Sequence, residues 1–154
     1  MKNLDTFLLE SNAIEDVFDD DAFKQAKKAW KYLIKQNKLT PHNICKMHGI
    51  GSKNLLEEQY SGTFRNHAVW IGGRMGRDWF LIPTLIENWC DIANKSKTWN
   101  EIRHDHIEYE KIHPFADYNG RSGRILMNWQ RVKNGLPIII IYNDKKWNYY
   151  DWFK

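Results

Sequence analysis

The stretch HPFADYNGRSGR, residues 113–124, separates two segments whose apolar residues recur with the spacing of a helix. The first segment carries Ile102, His106, Tyr109 and Ile112, and the second carries Ile125, Leu126, Trp129 and Val132. The stretch therefore predicts the end of one helix, a short turn and the start of another helix. A histidine lies at the first helix end, and two arginines flank the second helix start.

The start of the second helix is a candidate anion site. Free backbone N–H groups around Asn119, Gly120 and Arg121 would point at a bound anion, and Gly120 would let a phosphate approach the backbone closely. Arg121 and Arg124 are three positions apart, so both can face one polyphosphate from the same side of the first turn. Arginines in a first helical turn are also commonly solvated, which is the alternative interpretation.

A candidate base and a candidate metal ligand lie beside this anion site. His113 is the nearby side chain whose ordinary pKa lets it take up a proton near neutral pH. Asp117 offers the hard oxygen ligand that a Mg2+ ion travelling with a polyphosphate needs. A histidine before a proline can also be an ordinary helix-end residue. The functional interpretation therefore depends on all of these groups occurring within 113–124.

The rest of the chain predicts an all-α fold with one small β-hairpin. Helices are expected after the acidic run 19–21, from Thr40-Pro41, over 84–92 and in the tail 145–154. Two apolar runs, 69–71 and 79–82, surround a glycine-rich turn and predict a hairpin over 69–82. A phosphate loop is the alternative for these glycines, but no Gly-Lys-Ser/Thr follows them. Metal binding is the alternative for the acidic run.

Length and composition limit the class of protein. With 154 residues, 42% of them hydrophobic, the chain predicts a single domain over 1–154. Its net charge of +4 is spread without a basic run, which suits an anionic ligand and argues against nucleic acid. Cys45 and Cys90 lack both metal-ligand spacing and the density of a disulfide scaffold, which favours a reducing, cytoplasmic location. No apolar run has the length of a membrane helix.

The central stretch resembles the signature of the Fic domain, His-Pro-Phe-x-Asp/Glu-Gly-Asn-Gly-Arg-x-x-Arg. The resemblance extends to Gly62-x-x-Arg65, Val69-Trp70-Ile71-Gly72, His106-x-x-Tyr109-Glu110-x-Ile112 and Gly135-Leu136-Pro137, and so covers most of the chain. Fic domains are all-α, in agreement with the fold predicted above. Tyr118 departs from the pattern, because the family usually has glycine there. A positive φ at this tyrosine would cost ~1–3 kcal/mol.

The resemblance implies transfer of AMP from ATP to a hydroxyl side chain of a target protein, with a second copy of the chain as one candidate target. His113 would deprotonate the target hydroxyl for attack on the α-phosphate. Asp117 would hold Mg2+, and Phe115 would anchor the loop in the core. Self-association of the chain stays open.

The resemblance also assigns roles in binding the two substrates. Asn119 and Gly120 would cradle phosphate oxygens, and Arg121 and Arg124 would bind the β- and γ-phosphates. The hairpin over 69–82 matches the flap of the family, which aligns the main chain of the target by strand pairing. Its first strand carries Val69, Trp70, Ile71 and Gly72.

A further resemblance lies near the amino terminus. Ser11 and Glu15 match the inhibitory motif Ser/Thr-x-x-x-Glu-Gly/Asn that many Fic proteins carry on an amino-terminal helix, here within 1–20. In those proteins the glutamate pairs with the second signature arginine, here Arg124, and obstructs the γ-phosphate. Asp16 stands where glycine or asparagine is usual. A capping box is the alternative, but it needs Glu or Gln three residues after the serine, where this chain has isoleucine.

Other functions stay open from the sequence. Fic proteins of the Doc type transfer the γ-phosphate, but they carry lysine at the position of Gly120 and lack the arginine present here as Arg124. In some relatives the inhibitory glutamate assists removal of AMP from a modified target. Outside these enzymes, the chain could be a non-catalytic nucleotide-binding or nucleic-acid-binding module. The scattered charge and an intact His113 argue against those modules.

Overall fold

The computed structural model describes residues 3–154, so Met1 and Lys2 of the predicted region 1–20 lie outside the described residues. The helices of the described chain are α1 Leu4–Ile14, α2 Asp20–Ile34, α3 Pro41–Gly51, α4 Ile82–Ala93, α5 Trp99–Ile112, α6 Asn119–Lys133 and α7 Lys146–Tyr150. Strands β1 Trp70–Ile71 and β2 Arg74–Met75 form an antiparallel pair. Short 3-10 turns cover Glu58–Tyr60, Trp79–Leu81, Asn143–Lys145 and Asp151–Phe153. The predicted all-α fold with one small hairpin is confirmed.

Helices α2, α3 and α5 each begin at a side chain that accepts a hydrogen bond from a free backbone N–H group. Asp19 caps α2 by accepting from the Ala22 N–H at 3.0 Å, and Thr40 caps α3 by accepting from the Asn43 N–H at 3.0 Å. Thr98 and Glu101 form a capping box at the start of α5. The acidic run 19–21 is therefore a helix start. Within residues 3–154, no group of three or more acidic, histidine or cysteine side chains could hold a metal.

Helix α6 lies at the centre of the fold. Its residues from Asn119 to Gln130 are buried, except for the half-buried Gly120. Helix α5 packs along it, and α1, α2 and α3 also contact it. The Trp129 indole N–H donates to the Leu33 carbonyl of α2 at 3.0 Å. Because α6 is covered on most sides, the charged residues of its first turns must find partners inside the protein or in a cavity.

The carboxyl end of α6 closes as predicted for Asn134-Gly135. Gly135 adopts a φ of +75°, which glycine reaches without steric cost. The Gly135 N–H donates to the Val132 carbonyl at 3.1 Å, and the Leu136 N–H donates to the Arg131 carbonyl at 2.8 Å. These two bonds form a Schellman motif, which ends the helix and turns the chain outward.

The hairpin is shorter than the predicted range 69–82. Gly72 and Gly73 both adopt positive φ, +52° and +83°, so they make a two-residue turn that pairs Trp70 with Met75 and Ile71 with Arg74. The second apolar run, 79–82, does not form a strand. It makes a 3-10 turn that leads into α4, where Ile82 is fully buried. The prediction was wrong for this run because a short apolar segment fits a strand and a helix start equally well.

Two asparagines, the exposed Asn94 and the buried Asn128, each connect separate segments by hydrogen-bonding to both the N–H and the carbonyl of one distant residue. Asn94 accepts from the Leu39 N–H at 2.7 Å and donates to the Leu39 carbonyl at 2.8 Å. Asn128 of α6 forms the same pair of bonds with the N–H and carbonyl of Ile139, at 2.8 and 3.0 Å. Asn128 thus holds the segment that follows α6 to that helix, and Arg131 adds a hydrogen bond to the Pro137 carbonyl at 2.8 Å. No helix in residues 3–154 combines the length and the apolar character needed to cross a bilayer.

We expect Asn128→Ala to lower the free energy of unfolding by roughly 1–3 kcal/mol, because it leaves two backbone groups of Ile139 without their partner. Urea unfolding followed by circular dichroism measures the change. The control is Asn148→Ala, at an exposed position of α7, which should stay within about 0.5 kcal/mol of the wild type. Equal stability of the two variants would contradict the role of Asn128.

Candidate active site

A cavity of about 800 Å3 opens at the amino-terminal end of α6. We call it the α6 cavity. Its walls come from the end of α5, the turn before α6, the flap hairpin and the carboxyl-terminal segment, and include Glu110, His113, Asp117, Gly120, Arg121, Arg124, Trp70, Ile71, Tyr149, Tyr150 and Glu15. This volume is within the usual range for small-molecule sites. The structure therefore brings residues 113–124, the flap and the amino-terminal glutamate to one place.

His113 terminates α5 in a left-handed conformation, with a φ of +52° and a ψ of +64°. Its ring Nδ1 lies 3.2 Å from the Glu110 carbonyl oxygen. A carbonyl can only accept, so Nδ1 carries the hydrogen and Nε2 keeps a free lone pair. Burial lowers the pKa of His113, which favours the neutral form. Nε2 of the neutral imidazole can therefore accept a proton.

Arg65 fixes the main chain at this helix end. Its side chain is 2% exposed and donates to the carbonyls of His113 at 2.6 Å and Ile112 at 3.2 Å. The same guanidinium donates to the carbonyls of His67 and Arg77, which flank the hairpin. One side chain therefore connects the candidate base to both ends of the flap.

The turn between α5 and α6 is anchored by Phe115, which is fully buried. Its ring stacks on the His48 imidazole with centroids 3.7 Å apart and lies 5.5 Å from the ring of Phe64. Asn119 accepts from the Phe115 N–H at 2.9 Å and donates to the Phe115 carbonyl at 2.8 Å. The Asn119 side chain is thus occupied with the turn, which leaves its backbone N–H as the group that can face a phosphate.

His48 of α3 also holds this turn in place. Its Nδ1 accepts from the Gly62 N–H at 3.0 Å, so Nε2 carries the hydrogen and donates to the Asp117 carbonyl at 2.9 Å. Burial lowers the pKa of His48 to about 4, which keeps the ring neutral. The side chain of Asp117 is exposed and lines the α6 cavity, and its Oδ1 accepts from the Tyr118 N–H at 2.7 Å.

The first turn of α6 faces the cavity without a side-chain cap. Its free N–H groups and the positive end of the helix dipole favour a bound anion. A Cβ added at Gly120 would lie 2.9 Å from Glu15 Oε1 and 3.0 Å from Arg124 Nη1. A side chain at Gly120 would therefore displace the Glu15 carboxylate or the Arg124 guanidinium, because it would enter the region between the helix start and these two groups.

The two signature arginines have different partners. Arg124 is 2% exposed and donates to Ser11 Oγ at 2.8 Å, to the Ser11 carbonyl at 3.0 Å and to Glu15 Oε1 at 2.9 Å. Arg121 is 8% exposed, and within residues 3–154 it has no carboxylate within ion-pair distance. The guanidinium of Arg121 lies 4.3 Å from the ring centroid of Tyr118.

Glu15 and Asp16 end α1 at the edge of the cavity. Glu15 is the C-cap residue, and its side chain is 38% exposed beside Arg124. Asp16 adopts a φ of +58°. This conformation explains why glycine or asparagine is usual at that motif position, since both residues reach it readily, and aspartate tolerates it better than most residues do.

Tyr118, the departure from the family pattern, has a φ of +68°. The strain predicted for a tyrosine at a position of this kind is therefore present. The residue is 2% exposed, so its ring contributes buried apolar area that offsets part of the cost.

Tyr149, His106 and Glu110 lie near Arg124, and none of them was a predicted site residue. Tyr149 donates to His106 Nε2 at 2.7 Å, and its hydroxyl lies 3.5 Å from Arg124 Nη1. His106 in turn donates from Nδ1 to the Gly123 carbonyl at 3.1 Å. Glu110 has a buried carboxylate oxygen without a hydrogen-bond partner in the described chain, and burial raises its pKa to about 7. From the sequence, His106 is expected to pack or hydrogen-bond beneath the loop, and its hydrogen bond to the Gly123 carbonyl agrees with that expectation.

The flap residues lie on one side of the cavity. Trp70, Ile71 and Gly72 line it, and Trp70 is 68% exposed. The carbonyl of Val69 accepts from the Gly76 N–H at 2.9 Å, which closes the hairpin base.

The buried imidazole of His106 makes stability depend on pH. Burial lowers its pKa from 6.5 to about 3. The contribution of the neutral His106 ring to the free energy of unfolding is therefore complete above pH ~6.5 and is lost as the pH falls toward ~3. We expect the free energy of unfolding of the wild type to fall by roughly 3 kcal/mol more than that of His106→Gln between pH 7 and 4.5. Urea unfolding at both pH values measures this, and His104→Gln, at an exposed position of α5, should keep the wild-type slope.

Known proteins share this sequence pattern. The chain matches the Fic/DOC family over residues 38–130. It is 30% identical over 129 residues to Protein adenylyltransferase Fic of Drosophila persimilis, a match that covers 79% of this chain and 25% of the relative. The protein of the same name from Culex quinquefasciatus is 32% identical over 99 residues, or 60% of this chain and 20% of the relative. The chain thus matches about a quarter or less of the length of these relatives.

Solved structures share the fold. A Fic domain-containing signaling protein from Bacteroides thetaiotaomicron has a TM-score of 0.82 at 19% identity, with 97% of this chain and 70% of that chain covered. Fic-1 from C. elegans has a TM-score of 0.82 at 17% identity, with 97% and 54% covered. Since the family match spans more than half of the sequence and includes the whole turn from His113 to Arg124, this chain belongs to the Fic/DOC family.

Proposed function

We propose that the chain transfers AMP from ATP to the hydroxyl of a Tyr, Thr or Ser side chain of a target protein. The observation that carries the proposal is that His113, the uncapped start of α6 and a buried arginine pair all line the α6 cavity. His113 offers a free Nε2, the start of α6 is uncapped, and Arg121 and Arg124 are both buried. The name shared by the insect relatives supports the same reaction class.

His113 supplies the proton acceptor for this reaction. Its Nε2 takes the proton of the target hydroxyl while the hydroxyl oxygen attacks the α-phosphorus of ATP. A bond forms between that oxygen and the α-phosphorus. The bond from the α-phosphorus to the oxygen bridging the β-phosphorus breaks, and pyrophosphate leaves with its electron pair. His113 then releases the proton to solvent.

The phosphates of ATP would lie against the start of α6. Backbone N–H groups of the first turn and the guanidinium of Arg121 would bind their oxygens. The space that a Cβ at Gly120 would fill stays available to the ligand. Arg124 would join them once Glu15 leaves it.

Asp117 would hold a Mg2+ ion that accompanies ATP. A single protein carboxylate combined with phosphate oxygens and water is a usual ligand set for Mg2+. Asp117 fits this set because it is exposed at the cavity and uses one oxygen for the Tyr118 N–H. The ion would neutralise phosphate charge and stabilise the transition state. The flap would present the main chain of the target, since the outer edge of β1 can pair with an extended strand.

We expect His113→Ala to lose at least ~100-fold in the rate of AMP transfer, because a general base contributes that much. The measurement incubates the protein with α-labelled ATP, Mg2+ and a cell extract and follows label on protein. His104→Ala removes an exposed histidine from the same helix and should keep the wild-type rate. Unchanged labelling in His113→Ala would refute its role. Label from γ-labelled ATP alone would indicate phosphate transfer instead.

We infer that Glu15 lowers the activity of this site. Its carboxylate lies 2.9 Å from Arg124 Nη2 at the cavity wall. A carboxylate in this position occupies the guanidinium that ATP would need and repels the phosphates. Ser11 supports the arrangement, because it holds Arg124 Nε while α1 carries Glu15 to the cavity. Release of Glu15 would therefore open the phosphate site.

We expect Glu15→Gly to raise the rate of AMP transfer on the order of tenfold, because it removes a charge-assisted hydrogen bond that competes with ATP. The label assay above measures the rate. Asp16→Gly is the matched control, since it changes the neighbouring residue, suits the positive φ and leaves the Glu15–Arg124 contact in place. Equal labelling by the wild type and Glu15→Gly would contradict the inhibitory role of Glu15.

A further inference from the structure

We propose that Tyr118 is a positioning residue that holds the guanidinium of Arg121 toward the phosphates of ATP. This inference deepens the proposed function and concerns the position where the chain departs from the family signature. Glycine would meet the backbone requirement at a φ of +68° without strain. The backbone conformation therefore does not account for a tyrosine at this position, which directs attention to the contacts of its side chain.

The ring of Tyr118, and not its hydroxyl, makes the contacts. The residue is 2% exposed, and its buried hydroxyl has no hydrogen-bond partner in residues 3–154. Buried tyrosine hydroxyls normally find a partner. The ring packs edge-to-face on His48 with centroids 5.7 Å apart. It also lies so close to Gly51 that a Cβ there would be 2.8 Å from the hydroxyl oxygen and 2.9 Å from Cε1. These neighbours restrict the orientation of the ring.

The position of the Arg121 guanidinium depends on this ring, because the side chain has few other contacts that could hold it. Its guanidinium carbon lies 4.3 Å from the ring centroid, and its buried Nε has no hydrogen-bond partner in the described chain. Arg124, by contrast, is held by hydrogen bonds to Ser11 and Glu15. A ring face holds a guanidinium without using its in-plane N–H groups. Contact with the ring face therefore leaves the donors of Arg121 free for phosphate oxygens.

The decisive comparison is Tyr118→Phe against Tyr118→Leu. Both variants carry the same backbone strain and an apolar side chain, but only phenylalanine offers an aromatic face to Arg121. We expect Tyr118→Phe to bind ATP like the wild type and Tyr118→Leu to bind it roughly 3- to 30-fold more weakly. Equilibrium titration with ATP measures the Kd, in the wild-type and Glu15→Gly backgrounds. Equal ATP affinity of the two variants would overturn the proposal.

Two further readouts separate positioning from general stability. Adenosine lacks phosphates, so its Kd should be the same for both variants. In the transfer reaction, the KM for ATP should be higher for Tyr118→Leu than for Tyr118→Phe, while kcat at saturating ATP should be similar for the two. A fall in kcat and melting temperature with unchanged KM would indicate a merely structural role and reject the proposal. In an Arg121→Ala background the difference between Phe and Leu should disappear, and its persistence would show that Tyr118 does not act through Arg121.

Gly51→Ala provides a test from outside the cavity. Gly51 lies on α3 and is absent from the cavity wall, but its new Cβ would displace the Tyr118 ring. We expect it to weaken ATP binding in the wild type and to add little in Tyr118→Leu. If Tyr118→Phe binds ATP more tightly than Tyr118→Leu but no AMP label is transferred to protein, the proposed reaction is rejected and the role of Tyr118 in ATP binding stands. Failure of every variant to bind ATP would overturn both.

Discussion

One buried guanidinium, that of Arg65, determines where the candidate base lies. It is 2% exposed and donates to the carbonyls of Ile112 and His113 as well as to carbonyls on both sides of the flap. A buried cation has to be satisfied, and carbonyl dipoles at the end of a helix do this without a carboxylate. As a result the base and the surface that would receive a target strand are fixed to the same group.

The two arginines of α6 show two ways to keep a cation inside a protein. Arg124 is stabilised by a polar network that includes Ser11, Glu15 and Tyr149. Such a network is strong, but it competes directly with a bound anion. Arg121 is stabilised by an aromatic face and keeps its donors available. The site thus combines one arginine that α1 can occupy with another that stays open to ligand.

The predictions succeeded where the deciding contacts lie within a few residues of the chain. Apolar periodicity and the caps at Asp19 and Thr40 act locally, and the structure has these helices. The hairpin was predicted from its glycines, but its predicted range was too long. Whether the run 79–82 forms a strand or a helix start depends on the burial of Ile82 in the folded chain. His48 showed no sequence pattern, since its partner Asp117 lies 69 positions away.

The order of the predicted helices, the hairpin turn, the family and the grouping of His113 with two arginines can all be read from the sequence, because each is encoded in one continuous segment or a short pattern. How those groups are held depends instead on contacts between distant parts of the chain. The Glu15–Arg124 contact spans 109 positions and the Arg65–His113 contact spans 48, so both require the packing of several helices to bring the partners together. Burial in that packing also sets the neutral state of His113 and the orientation of Tyr118, since desolvation depends on the neighbours in space.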